Sequence, residues 1–555
     1  MEIKSSSFRD YTKSLWLPLL IAFAHFFITT AFQFDKAFFE YDTSFIYVGE
    51  KRTYSLFWYY FAIKVLYAIL LAVIYCTSAF VIRLYKAGSE KIKRGLYIFT
   101  LYFVILMSIF LLVYPGTWAW DDIGVVTTLH HLGLNYWQHF FTSIIQMLFL
   151  QIIPCPAGII IVTNFIISAL VSYCVVQAES FFLAKKRLFG STFLDTLVKL
   201  LPFLSIGVLS YQFSGYRMGL YVYFELTLFT MAFSAKKEGK NWSFFKGFVF
   251  SVLSILVSEW RTEGMFFAIV ASVFIFMQKK EICSTKVKVF SIFLIVFGFL
   301  LTDTIQKKLL SNSNYEVIST MTPVVELIRN ADEKDEELIE NLGRVLNIKA
   351  VFDYPDKSGT ALYWLEEAHA VKENYTKADY KAYLKAFFAL SLRHPNIVIK
   401  ERFSMFLNTT AIFGKTNTTN LNTLTNSHTA FTYDNSDTKW VQEFALYPHN
   451  QPVFPAIRIM LLKLWANKYT YHLVWNVALP IIFLIVAWIY CIKKRKATET
   501  LFLSGEAVRV VLTFLTAPSP WFMYYLPEYL LGWTLLLYFA LFHIQKLEKK
   551  VLNFS

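Results

Sequence analysis

Cysteine is scarce in this chain and poorly spaced for chemistry. There are five, Cys76, Cys155, Cys174, Cys283 and Cys491, with no Cys-x-x-Cys pair among them. That pattern supports neither a zinc–thiolate site nor a disulfide framework. No Gly-rich phosphate loop, heptad seam or internal repeat of fixed period is evident. Charge is also thin: charged residues make up 17% of the 555, against 56% hydrophobic. A chain of this length with so little charge is a polytopic membrane protein, not a soluble globular one. The formal net charge of +14 does not point to nucleic acid, because that reading needs a basic face on a folded domain. Here the basic residues sit in short clusters between apolar runs, and no nucleic-acid partner is expected. No small-residue cleavage motif follows the basic-then-apolar start at 1–20, which predicts a retained first helix.

What is abundant is aromatic. Phe, Trp and Tyr make up 19% of the chain, led by 56 Phe, which suits lipid-facing helices with aromatic belts, so membrane lipids are expected partners. Apolar runs of spanning length, or slightly shorter where Pro and charge bracket them, predict an all-α polytopic fold of about twelve transmembrane helices. They lie near 15–34, 57–82, 95–113, 157–182, 194–213, 217–234, 247–260, 264–278, 287–303, 471–492, 504–518 and 524–543. Basic clusters at 4–13, 83–94, 185–187, 236–246, 279–288, 493–496 and 546–550 fall in every second gap. By the positive-inside rule those gaps and both termini are cytoplasmic, in a multi-pass protein of the cell membrane. Segments 114–139, 214–217, 258–264, 303–458 and 518–528 then lie outside. The expected organisation is an N-terminal transmembrane region, 1–303, a mainly helical extracytoplasmic insertion, 304–458, and a C-terminal transmembrane region, 459–555. Within the first region, 114–139 is an acidic outer loop. Residues 137–153 are expected as a juxtamembrane helix, since a crossing there would move every later basic cluster outside.

The most informative stretch is Tyr114-Pro115-Gly116-Thr117-Trp118-Ala119-Trp120-Asp121-Asp122. Pro115 and Gly116 stop a helix near Val113, the tryptophans suit the headgroup layer, and two carboxylates follow. A carboxylate at the edge of an apolar wall has a raised pKa, which suits a general base acting on a hydroxyl. Asp121 and Asp122 are therefore the catalytic candidates. Adjacent residues point in different directions, so one is expected to act, Asp121 being favoured, and the other to cap the following helix. His130, His131 and His139 lie in the same loop; Asp122 and His131 are candidate ligands for a divalent metal, the one candidate cofactor, although their spacing matches no strong ligand motif. Loop hydrogen bonding is the commoner explanation of such histidines. Ser258-Glu259-Trp260-Arg261-Thr262-Glu263-Gly264 sets three charges between two apolar runs. Arg261 suits a phosphate oxygen pair, with Arg217, Glu263 and His139 as further substrate-binding candidates. The plainer alternative is that Arg261 pairs with Glu259 or Glu263 and positions the turn. Glu225 and Arg509, inside apolar runs, read as paired structural charges.

These features together resemble the GT-C class of polyprenyl-phosphate-dependent glycosyltransferases. The likenesses are Tyr114-Pro115-Gly116 with Asp121 and Asp122, the Arg261-Thr262-Glu263-Gly264 turn, His394-Pro395 before a helix, and the Pro- and aromatic-rich turn from Pro518 to Tyr529. The chain differs from the class in carrying two spans and loop 35–56 ahead of the motif, and Trp137-Gln138-His139 in place of a His-Pro-Pro-like start. The resemblance implies an acidic residue that activates the acceptor, here Asp121 or Asp122, and basic residues that hold the donor phosphate, here Arg261 or Arg217. It implies a lipid-linked sugar donor and an envelope glycan or lipid acceptor as partners. A transporter or flippase of lipid-linked envelope precursors is the alternative class.

Overall fold

The computed structural model describes residues 15–40, 45–48, 52–135, 138–183, 190–239, 242–310, 314–412, 439–465 and 471–552. The basic clusters expected at 4–13 and 185–187, Trp137, and the Asn- and Thr-rich stretch 417–437, which reads as loop, lie outside the described residues. The chain forms two compact units. The first comprises Met1–Leu310, Thr419–Asn467 and Trp533–Ser555; the second comprises Ser311–Thr418 and Lys468–Gly532.

The first unit begins with α1 (Trp16–Ala31), a short antiparallel hairpin of β1 (Phe45–Val48) and β2 (Arg52–Ser55), α2 (Leu56–Lys86) and α3 (Glu90–Val113). Then come α4 (Trp120–His130), α5 (Phe140–Ile152), α6 (Pro156–Phe181), α7 (Thr192–Leu200) and α8 (Ile206–Gln212). It continues with α9 (Met218–Glu238), α10 (Phe244–Glu259), α11 (Phe267–Met277) and α12 (Thr285–Leu310). Trp58, Phe61, Ile69 and Val73 on α2 and Phe293, Phe297 and Leu300 on α12 are exposed, the apolar faces of helices whose solvent is lipid.

Buried charge holds these helices together where apolar contact alone gives little specificity. Arg94 on α3 contacts Glu179 on α6 at 2.6 Å, and Lys199 on α7 lies 2.8 Å from Glu179 and 2.7 Å from Asp195. Two cations thus balance two anions, the condition under which burial of charge is tolerated. Likewise Lys64 on α2 lies 2.6 Å from Asp35 and donates to Gln151 on α5 at 2.7 Å.

In the second unit, α13 (Ile318–Arg329), α14 (Glu336–Leu342), α15 (Ile348–Asp353), α16 (Gly359–Trp364), α17 (Lys377–Arg393) and α18 (Pro395–Thr409) surround their own core. Val324, Leu327, Leu342, Leu346, Leu362, Tyr383 and Leu390 are buried in it. The next two helices, α19 (Lys439–Leu446) and α20 (Pro455–Trp465), pack in the first unit on α4 and α3. Segment 304–458, expected as one region, is thereby shared between the units. The chain ends with α21 (Tyr471–Val474), α22 (Ala478–Lys493), α23 (Ala497–Thr516) and α24 (Leu526–Leu552). Arg509 on α23 pairs with Glu506 and, at 3.2 Å, with Glu528, the structural pairing expected of a charge in an apolar run. The 518–529 turn is packed inward: Phe522 and Tyr525 are buried, Phe522 lies 4.9 Å from Trp475, and Arg402 donates to the Ala517 carbonyl at 2.9 Å.

The protein is helical and has the helices of a multi-pass membrane protein. Among the described residues six are long and apolar enough to cross: Trp58–Lys86, Glu90–Val113, Pro156–Phe181, Met218–Ala235, Thr285–Lys308 and Phe522–Lys546. A seventh arises if Thr192–Leu204 and Ile206–Gln212, bent by 73° at their junction, count as one. The remaining expected runs form shorter helices (α1, α10, α11, α22), or one, α23, that carries Glu499, Glu506 and Arg509. At 13 residues, α5 reaches only about 20 Å, short of a bilayer core of about 30 Å.

Candidate functional site

The site is assembled where α3 stops. The Tyr114–Pro115 peptide is cis, and Gly116 has φ +126°. A Cβ on Gly116 would lie 2.5 Å from both Ile160 Cδ1 and the Phe213 carbonyl oxygen, so no side chain fits. The turn is anchored by Thr117, whose N–H donates to Phe213 O at 2.6 Å and whose hydroxyl donates to Ser210 O at 2.7 Å. Arg458, buried on α20, donates to the carbonyls of Val113 at 3.3 Å and Gly116 at 3.0 Å, fastening the end of α3 and the turn after it. Burial lowers its pKa to about 10.

Trp118 is not the headgroup anchor expected of it. It is buried, its ring lies 5.1 Å from Phe444, and its indole N–H donates to Pro115 O at 2.9 Å. Gly215 packs against it so closely that a Cβ there would come within 2.4 Å of Trp118 Cζ3. For Trp120, expected in the same layer, the side chain lies outside the described residues.

The two carboxylates have different tasks. Asp122 stands third in α4 and accepts from the Ala119 amide at 2.5 Å, half of a capping box. Its other oxygen accepts from the Gly215 amide at 3.1 Å. It therefore ties the start of α4 to the 214–217 turn, which Gln146 on α5 holds from a second side by donating to Gly215 O at 2.7 Å. Burial raises the Asp122 pKa well above the ordinary value, helped by the adjacent Asp121 charge and opposed by the Ala119 and Gly215 amides. Asp121 is less enclosed. Burial raises its pKa too, moderated by the neighbouring Tyr216 hydroxyl and by the charge of Arg217.

Arg217 opens α9 and donates to the Trp260 carbonyl at 3.0 Å, while the Trp260 indole donates back to Arg217 O at 3.1 Å. This reciprocal pair sets the 214–217 turn against the 258–264 turn. There Arg261 makes a two-pronged contact with Glu263, Nε to Oε2 at 3.1 Å and Nη2 to Oε1 at 2.6 Å, the plainer of the two alternatives for this arginine. Burial opposes ionisation of Glu263, but Arg261, with Arg217 behind it, brings its pKa down to about 2. His139 caps α5, and its Nε2 lies 3.1 Å from Glu259 Oε2, with both side chains buried.

No family model, curated protein or solved structure matched this chain.

The structure thus brings Asp121, Arg217, Arg261 and Glu263 into one electrostatically coupled group and sets His139 on Glu259 of the same 258–264 turn. It separates the expected metal pair: Asp122 and His131 stand at opposite ends of α4, about 13 Å apart along its axis. His394 belongs to the second unit, where its Nε2 lies 2.7 Å from Asp335. Sequence reasoning missed the importance of Tyr216, Gln146 and Arg458. Tyr216 was within reach, since it directly precedes Arg217 in a polar break between apolar runs; Arg458 gave no signal beyond a cation in an apolar stretch. An apolar surface hollow lined by Phe244, Val289, Phe290 and Phe293 lies at the far end of α10 from Glu259, about 22 Å along the axis, and takes no part in this group.

Proposed function

We propose that the protein is a membrane glycosyltransferase that moves a sugar from a polyprenyl-phosphate donor to a cell-envelope glycan or lipid acceptor at the outer face of the cell membrane. The observation that carries the reading is Asp121, its pKa raised by burial, beside Tyr216 and Arg217. Arg217 is in turn joined to the turn that presents Arg261 and Glu263. In the reaction Asp121 takes the proton of the acceptor hydroxyl, and the freed oxygen attacks the anomeric carbon of the donor. The bond from that carbon to the phosphate oxygen breaks, and polyprenyl phosphate leaves with configuration inverted. Arg217 offsets the negative charge that collects on the departing phosphate, while Arg261, held by Glu263, keeps the neighbouring turn in place. The topology that goes with this reading has about twelve crossings, with α1, α10, Thr262–Met277 (the short turn leading into α11 together with it), α22 and α23 among them, the shorter ones in a locally thinned bilayer. Both termini are then cytoplasmic and 304–458 is outside.

The experiment is a comparison of envelope polysaccharide and lipid composition in cells with and without the gene. Loss of one glycosyl substituent, restored by the intact gene, is the expected result; identical composition counts against a transferase. The 73° break between Leu204 and Ile206 favours the transporter or flippase as the second reading, because discontinuous helices line transport sites. Counterflow of a labelled lipid-linked sugar in proteoliposomes, with no transfer product, decides for it.

A further inference from the structure

Glu40, His130 and His131 converge in the first unit although 90 residues of sequence separate the carboxylate from the histidines. One oxygen of Glu40 and one ring nitrogen of each histidine all lie within 4.8 Å of one another. Glu40 Oε2 is 2.7 Å from His131 Nδ1 and 4.0 Å from His130 Nε2. On its other side His131 Nε2 lies 3.0 Å from Glu443 Oε1, which also accepts the Tyr447 hydroxyl at 2.6 Å. The surroundings are built: the Glu40 amide donates to the His130 carbonyl at 2.9 Å. Phe38 and Tyr447 wall the His130 ring at 5.3 and 4.6 Å.

A neutral imidazole has one N–H. If His131 gives that proton to Glu443, its Nδ1 lone pair faces a carboxylate oxygen at 2.7 Å, and two acceptors are in contact. A cation between them removes the repulsion, either a second ring proton or a metal ion. A proton bridges two atoms, whereas this oxygen faces two imidazoles. We propose that Glu40, His130 and His131 bind a first-row divalent metal ion, with Glu443 orienting His131 from behind. Two imidazoles and a carboxylate suit zinc and its neighbours and leave a position open for water. The carboxylate–histidine–metal relay through Glu443 fixes the ring nitrogen that ligates. Bonds of about 2.0–2.1 Å in a tetrahedral site set ligand atoms about 3.4 Å apart, so the 2.7 and 4.0 Å contacts each shift by less than about 1 Å on loading. The site closes α4 at the end opposite Asp121 and ties the turn after α1 to it.

The test uses the full chain, purified in detergent without a polyhistidine tag, stripped by chelator and dialysed against Zn²⁺. Elemental analysis is expected to find about one zinc per chain, and zinc is expected to raise the Tm of the stripped protein. The variants Glu40→Gln and His131→Gln are expected to keep the Tm of the stripped wild type and to lose both the ion and its stabilisation. Glu443→Gln is expected to bind about 10- to 100-fold more weakly. Co²⁺ supplies a readout independent of stability: its visible absorption in the wild type should change in Glu40→Gln. The proposal is overturned by a wild type that holds no more zinc than the His130→Ala/His131→Ala double variant, or by an absence of any zinc-dependent rise in Tm. Either result leaves the Asp121 reading untouched, since none of these readouts depends on sugar transfer.

Discussion

Glu263→Gln keeps the shape of a side chain whose charge holds Arg261. Arg261 is almost fully buried and gives Glu263 two hydrogen bonds, at 3.1 and 2.6 Å. With the carboxyl at about 2 against an ordinary 4.5, the shift of about 2.5 units at about 1.36 kcal/mol each corresponds to about 3 kcal/mol of folding stability at neutral pH. Removing one partner of a buried ion pair costs about 3–5 kcal/mol by an independent route, because the remaining charge is left uncompensated. The folded pKa is depressed, so the contribution is fully present above pH 4.5 and is lost as pH falls from 4.5 towards 2. Wild type and variant should therefore differ by several degrees in Tm at pH 7 and converge in acid. The wild type should give up about 1.4 kcal/mol per pH unit once below 4.5. Thermal unfolding in detergent at pH 7, 5, 4 and 3 measures both quantities. No gap at pH 7, or a gap that persists undiminished at pH 3, refutes the assignment of Arg261 to Glu263.

Asp122→Ala removes the acceptor of two buried amides, Ala119 and Gly215. It should cost about 2–4 kcal/mol by unfolding, at about 1–3 kcal/mol for each stranded group less mutual relief; an unchanged Tm removes Asp122 from its capping role. Gly215→Ala places a methyl group 2.4 Å from Trp118 Cζ3. It should destabilise by about 1–3 kcal/mol through overpacking and lower transfer activity by shifting Arg217, whereas wild-type stability and rate would show that the turn yields freely.

The membrane class was legible because long apolar runs and interleaved basic clusters are properties of the sequence itself. The number of crossings was less so: Pro202 sits at the junction of α7 with the bent 206–212 segment, and α10 and α11 end after 16 and 11 residues, so hydropathy alone does not say which helices cross. The candidate site was legible where charge interrupts apolar runs, at Asp121, Arg217, Arg261 and Glu263. Which charge meets which was not. Arg261 turns to Glu263 two residues away, Asp122 turns to a loop amide 93 residues away, and Glu40 meets His130 across 90 residues. Contacts of that kind leave no periodicity for a sequence to display. Trp118 misled for the same reason, since a tryptophan beside a helix stop reads as an interface anchor until its cover, Gly215 and Phe444, is known.

In the proposed transferase Asp121, and not Asp122, is the base. The direct measurement is sugar transfer from a polyprenyl-phosphate donor by proteoliposomes carrying wild type or Asp121→Asn, with thermal unfolding run on the same preparations. Asp121→Asn is expected to unfold at the wild-type temperature and to lose about 10²- to 10⁴-fold in rate, the share of a general base. Undiminished transfer by a well-folded Asp121→Asn protein would contradict it.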